Sequence, residues 1–333
     1  MQAERTSPTV APKRLRRVIV LALLLTFAAG AVYVLAYNIG TGQRFTRLPW
    51  TSIARNIPPV YSYSIFGVEA PAGVAVTPDG SLIYVADHGQ QGQVRVFDRS
   101  GDLQFSLVPP ITGGGSGKPM YIAVGADSQV FVADIGRREI SVYSPHGEYL
   151  GAIKAPDAEG AFSPIGVTFD LEGNLYASDR ASTPLRVVSF NPDFTIRSTY
   201  QRPANDVPGA QALGGVAVDG SGRVFASNGL AFTIDVFNAD GQLMPSSEVG
   251  SFKLGLPHGV AIDRMNRLYV VDSINGEVHV YDLNTTPIRE LFKFGRAGND
   301  DESFSFPVGV AVDATGRVYI GDQANGRVQV WSY

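Results

Sequence analysis

Cysteine is absent from the 333 residues. No disulfide, thiol nucleophile or cysteine-ligated metal is therefore open to this chain. Histidine occurs four times and tryptophan twice, so a histidine-built centre has little to draw on. No helical period runs through the body of the chain, and no Gly-x-Ser-x-Gly motif occurs, which leaves a serine triad unsupported. The segment Thr112-Gly-Gly-Gly-Ser-Gly-Lys118 glances at a phosphate loop. It lacks the first glycine, has Pro119 in place of the Ser/Thr, and leads into no helix. The chain does have 37 glycines and 21 prolines, spaced as punctuation and not gathered into a linker.

That punctuation belongs to a repeat. Six times a Pro or Leu opens a Gly-Val-Ala-Val-like run, a glycine turn follows, and a Tyr-Val-Ala-Asp-like run ends on Asp87, Asp134, Asp179, Asn228, Asp272 or Asp322. The gaps between these closing residues are 47, 45, 49, 44 and 50. A period of that length marks one supersecondary unit per repeat, none able to bury its apolar face alone.

In the last copy, Val310–Val312 reads as a strand covered on both faces and Asp313–Gly316 as a tight turn. Val318–Ile320 reads as a second strand, Asn325-Gly326 as a turn, and the alternation around Val328 and Val330 as a third strand. Earlier copies add a fourth at 103–108, 149–153 and 288–294. Four short antiparallel strands make a propeller blade. The sixth copy stops at Tyr333 without its outer strand, and Tyr61–Gly67 reads like Glu290–Gly295 ahead of blade six. The expectation is an all-β, six-bladed propeller over residues 61–333, closed by an N-terminal strand that removes the last free sheet edge. A β-solenoid is the other ladder without helices, but its coils are about half this length and need no closing strand.

These segments resemble the NHL-repeat family of six-bladed propellers. Pro71–Asp79, Pro307–Asp313, the run from Asp322 to Val330 and the approach loop from Phe294 to Pro307 carry the likeness. Blades three and four depart from it: Arg180–Pro184 and Gly229–Phe232 stand where the Asn-Gly-Arg hairpin belongs, and Asn228 replaces the closing Asp. Function-specific surface is expected at those loops.

Residues 1–17 carry five basic side chains and one acidic, and Val18–Tyr37 then runs 20 residues without a charge. A helix of that length is about 30 Å long, enough to cross a bilayer. The basic flank predicts a cytoplasmic N-terminus (1–17), a signal-anchor helix (18–37), a juxtamembrane linker (38–60) and an extracytoplasmic propeller, periplasmic or at the cell surface. Ala29-Gly-Ala31 offers a cleavage site instead, which would make the protein secreted, but the apolar run continues through Ala36. Removing the +4 of residues 1–17 leaves −8 for the rest. That balance gives no basic footprint for nucleic acid.

His258, between Pro257 and Gly259, enters an innermost strand. In the propeller-fold peptidyl-amidoglycolate lyases, which share this repeat grammar, several blades carry a zinc-ligand histidine there. Here the equivalent residues are Ala72, Met120, Ile165, Gly214 and Val308, so one ligand of the required three is present. The closing Asp/Asn residues are expected to accept backbone hydrogen bonds from the loops that follow them. No cofactor is implied. His88, Arg137, Arg138, Arg180, Phe232, His258 and Ile274 are the expected partner face at one mouth of the ring. The resulting expectation is a membrane-tethered module that binds a protein, peptide or glycan. The alternative is a hydrolase or lyase using a divalent cation at the channel mouth.

Overall fold

The computed structural model describes residues 56–333 except 90–91, 109–116, 155–161, 182–184 and 204–211. The expected tail, anchor and linker lie outside the described residues, apart from residues 56–60. Among the described residues no helix is long and apolar enough to cross a membrane.

Six antiparallel sheets follow one another along the chain. Their innermost strands are β2 (Pro71–Val76), β6 (Pro119–Val124), β10 (Pro164–Phe169), β14 (Leu213–Val218), β17 (Pro257–Ile262) and β21 (Pro307–Val312). Each packs on the next, and β21 packs on β2 to close the ring. Closure is also made at the perimeter. β1 (Val60–Ile65) is the outer strand of the sheet β1-β23-β22-β21, in which β22 is Val318–Asp322, and it pairs with β23 (Arg327–Ser332) from Val60↔Ser332 to Ile65↔Val328. The chain is the expected six-bladed propeller, closed by its N-terminal strand.

The repeat explains how the blades adhere. Three residues before each closing Asp or Asn stands an aromatic residue: Tyr84, Phe131, Tyr176, Phe225, Tyr269 or Tyr319. All six are buried. Each lies in one of six apolar clusters, and every cluster joins one blade to the next. Burying such a ring contributes about 1.5–3 kcal/mol. The Gly of Pro-x-Gly serves the inner circle. A Cβ on Gly73, Gly259 or Gly309 would lie within 2.4 Å of a carbonyl oxygen on the adjacent inner strand. Blade two alone has a side chain there, Tyr121.

Blade four departs from the four-strand pattern. Among the described residues it holds only β14, β15 (Val224–Asn228) and β16 (Thr233–Phe237). The turn after β16 is regular, and Leu243 pairs with Phe237 as a single bridge. Pro245 then stands where an outer strand would continue, and a one-turn helix, α1 (Ser246–Val249), follows it. Proline has no N–H to give to a ladder, so the strand ends there.

Candidate functional face

The closing carboxylates define one end of the ring. Asp87 accepts hydrogen bonds from the N–H groups of Glu69, Ala70 and Gly89 and from Arg95 Nε. Asp272 takes those of Gly255, Leu256 and Asn275, and Asp322 takes Ser305 N–H and Arg327 Nε. The N–H donors come as much from the loop entering each blade as from the turn after it, so the expectation of a following-loop role was too narrow. Approach loops and second-to-third-strand turns are thereby drawn to a common mouth face.

Blade four keeps the device with its charges moved. Asn228 Oδ1 still accepts the Ala212 N–H, while its amide donates to Asp235 on the third strand. Asp235 is the buried carboxylate here, and Arg202, arriving from blade three, pairs with it at 2.7 Å. The neutral Asn avoids setting two buried carboxylates side by side.

The turns carry the clearest deviation on this face. Immediately before the third strand, blades one, five and six place Gly92, Gly276 and Gly326 at φ of +54°, +63° and +61°. Blades two and four place Arg138 and Phe232 there, at +57° and +56°. A side-chain-bearing residue in this left-handed region costs about 1–2 kcal/mol relative to glycine, and such outliers gather at functional surfaces. Both side chains are exposed, Phe232 by 54%. The irregular Gly229–Phe232 segment is therefore the same tight turn as Gln323–Gly326, with phenylalanine at the glycine corner.

The other expected face residues divide. Arg180 and Ile274 are exposed, Ile274 by 61%. Arg137 is drawn inward, its Nε 3.7 Å from Asp134. His88 is half-buried, its Nε2 without a hydrogen-bond partner among the described residues, and burial lowers its pKa, so it is neutral at pH 7. His258 is also half-buried with its pKa lowered by burial. Ser273 Oγ donates its one proton to the Pro307 carbonyl, so the 2.6 Å contact with His258 Nδ1 is donated by the ring. Nε2 is then the acceptor of a neutral imidazole.

One neighbour was missed. Phe306, at φ +52° and 41% exposed, meets the His258 ring edge-on at 5.7 Å. Its signal lay in the repeat: the residue before the opening Pro or Leu is Ala70, Lys118, Ser163, Ala212 or Leu256 in the other blades, and aromatic only here.

The channel closes just beneath this face. Tyr121 is buried, its hydroxyl 3.4 Å from the Val308 carbonyl of blade six. It shares one apolar cluster with Ala72, Ile165 and Val308, against which Met120 packs. These are four of the six positions at which the lyase pattern would set ligands. Below the plug, a cavity of about 730 Å³ opens toward the far end, walled by Val76, Val124, Phe169, Val218, Ile262 and Val312. Among the described residues no three His, Asp or Glu side chains are grouped to hold a metal ion.

The NHL repeat profile matches residues 254–281 and 304–331, the first three strands of blades five and six with the ends of their approach loops. The match thus falls on two of the six blades. Human NHL-repeat-containing protein 4 is 29% identical over 123 residues, covering 37% of this chain and 94% of that protein. Virginiamycin B lyase from Staphylococcus aureus superposes with a TM-score of 0.57 at 15% identity, over 80% of this chain and 95% of that one. A propeller from a nidogen/laminin complex gives 0.55 at 16%, over 75% and 84%. At those identities the two structures share only the six-bladed fold with this chain.

Proposed function

We propose that this NHL propeller is a membrane-tethered binding module that presents its mouth face to a protein, peptide or glycan outside the cytoplasm. One observation carries the reading: Arg138 and Phe232 occupy left-handed corners where three other blades use glycine, and both side chains are exposed. Arginine and aromatic side chains are the usual anchors of protein interfaces. Leu230, Ile274 and Phe306 add exposed apolar surface to loops on the same face. The nidogen/laminin propeller is an instance of this fold in a protein complex. The anchor follows from the uncharged run 18–37 behind a basic flank, and its test is digestion of the propeller by protease added to intact cells.

The test of binding is chemical cross-linking in membranes that carry the full chain, with Arg138→Gly/Phe232→Gly as control. A partner cross-linked to the wild type and lost from the double variant supports the reading. A partner retained by that variant overturns this face as the site. The cation-dependent hydrolase or lyase would require stoichiometric metal that is lost on His258→Ala, which elemental analysis of the purified chain would detect.

A further inference from the structure

Among the described residues blade four has no outer strand, and the other five blades define what belongs there. In each of them a large apolar residue at or one before the end of the outer strand stands opposite a fixed point on the third strand: Leu107↔Val94, Ile153↔Ile140, Tyr200↔Val187, Phe294↔Val278 and Ile65↔Val328. All five outer residues are buried. The preceding outer-strand residue is small or polar: Ser106, Ala152, Thr199, Lys293 and Ser64. In blade four the corresponding third-strand residues are Ile234 and Asp235, and Pro245 has turned the chain away before either is met.

The edge left behind offers hydrogen-bonding backbone. Met244 N–H donates to the Val236 carbonyl at 2.8 Å, so the Val236 peptide groups face outward. Strand alternation then turns those of Ile234 outward as well. Among the described residues no backbone group bonds the Ile234 or Val236 N–H from that side, and the Ile234 carbonyl receives only a 3.5 Å contact from Thr233 Oγ1. A cleft of about 660 Å³ runs along this edge, within the usual ~300–1,000 Å³ of a ligand site. Ile234, Val236, Val249 and Phe252 supply its apolar wall, and the Arg202–Asp235 pair its charges.

We propose that this cleft receives an extended peptide segment of a partner protein, added antiparallel to β16 as the fourth strand of blade four. Backbone pairing supplies the affinity and alternate side-chain pockets the selection. The segment would place a small or cationic residue opposite Asp235 and a large apolar residue opposite Ile234. This site lies on the blade's outer edge and does not depend on the mouth face.

The probe is a peptide copying residues 288–295, whose Phe294 and Lys293 would fall opposite Ile234 and Asp235. Hydrogen–deuterium exchange is followed on the full chain at single-amide resolution. Without peptide, the Ile234 and Val236 amides should exchange at least about tenfold faster than those of Val278 and Val280, since an unpaired edge opens at little cost. With peptide, both should slow by about tenfold or more. A peptide N-methylated on its pairing face, or one with glycine in place of Phe294, should give no such protection. Three results would overturn the proposal: amides already protected without peptide, protection that grows with protein concentration (a second copy filling the edge), or equal protection by the N-methylated peptide. Phe232→Gly should leave peptide protection unchanged, which separates this site from the mouth face.

Discussion

Phe232 of blade four and Gly326 of blade six occupy the same corner of the same turn, at φ/ψ of +56°/+33° and +61°/+42°. Only glycine takes that conformation without steric cost. Phe232→Gly should therefore raise stability by about 0.5–1 kcal/mol, after allowance for the extra freedom glycine has when unfolded. The same substitution should weaken partner cross-linking. Denaturant unfolding and cross-linking yield, measured on the same preparations, check both directions. A loss of stability on Phe232→Gly would show that the phenylalanine serves packing.

Tyr121 plugs the channel with its ring far more than with its hydroxyl. Tyr121→Ala should destabilise the propeller by about 3–4 kcal/mol, as other buried aromatic truncations do. Tyr121→Phe should cost less than about 1 kcal/mol, because the 3.4 Å contact with the Val308 carbonyl is long. Equilibrium unfolding of the two variants in urea separates the contributions.

Asn228→Asp would set a second buried carboxylate against Asp235. A loss of about 2–4 kcal/mol is expected at pH 7. Mutual repulsion would raise the folded-state pKa of the pair, so the folded variant would bind more protons than the unfolded chain. Its deficit should then shrink as pH falls toward 5. Adding Asp235→Asn should restore stability at pH 7, and thermal unfolding across that range reads all three effects.

His88 and His258 are each held below the ordinary imidazole pKa by burial. Below pH 6.5 the unfolded chain therefore takes up protons that the folded chain refuses, and stability falls with pH through that window. Above pH 6.5 both histidines are neutral in both states and contribute no slope. Replacing both by glutamine should flatten the stability curve between pH 6.5 and 5.5, as followed by the unfolding midpoint.

The blade count, the closing strand and the scaffold role of the closing Asp were legible because each rests on a period. A strand must bury alternate residues and a tight turn needs glycine, so the repeat writes both into the chain. The anchor proposed at 18–37 rests on sequence alone, an uncharged run behind a basic flank outside the described residues. Arg138 and Phe232 were visible as residues of the mouth loops, but their left-handed backbone was not.

Contacts between distant segments were decided by the folded chain. The channel closes because Tyr121 reaches from blade two to Val308 of blade six, 187 positions along the chain. Arg202 belongs to Asp235 of the next blade, 33 residues on, which no repeat unit records. Pro245 could be read as a strand-breaker, yet the open edge of β16 arises because the chain is diverted into α1 and leaves Ile234 without an outer strand neighbour among the described residues. Periodicity reports what every blade must satisfy to pack on the next. The departures from it are resolved by long-range packing, and they lie at the channel, the mouth face and the blade-four edge.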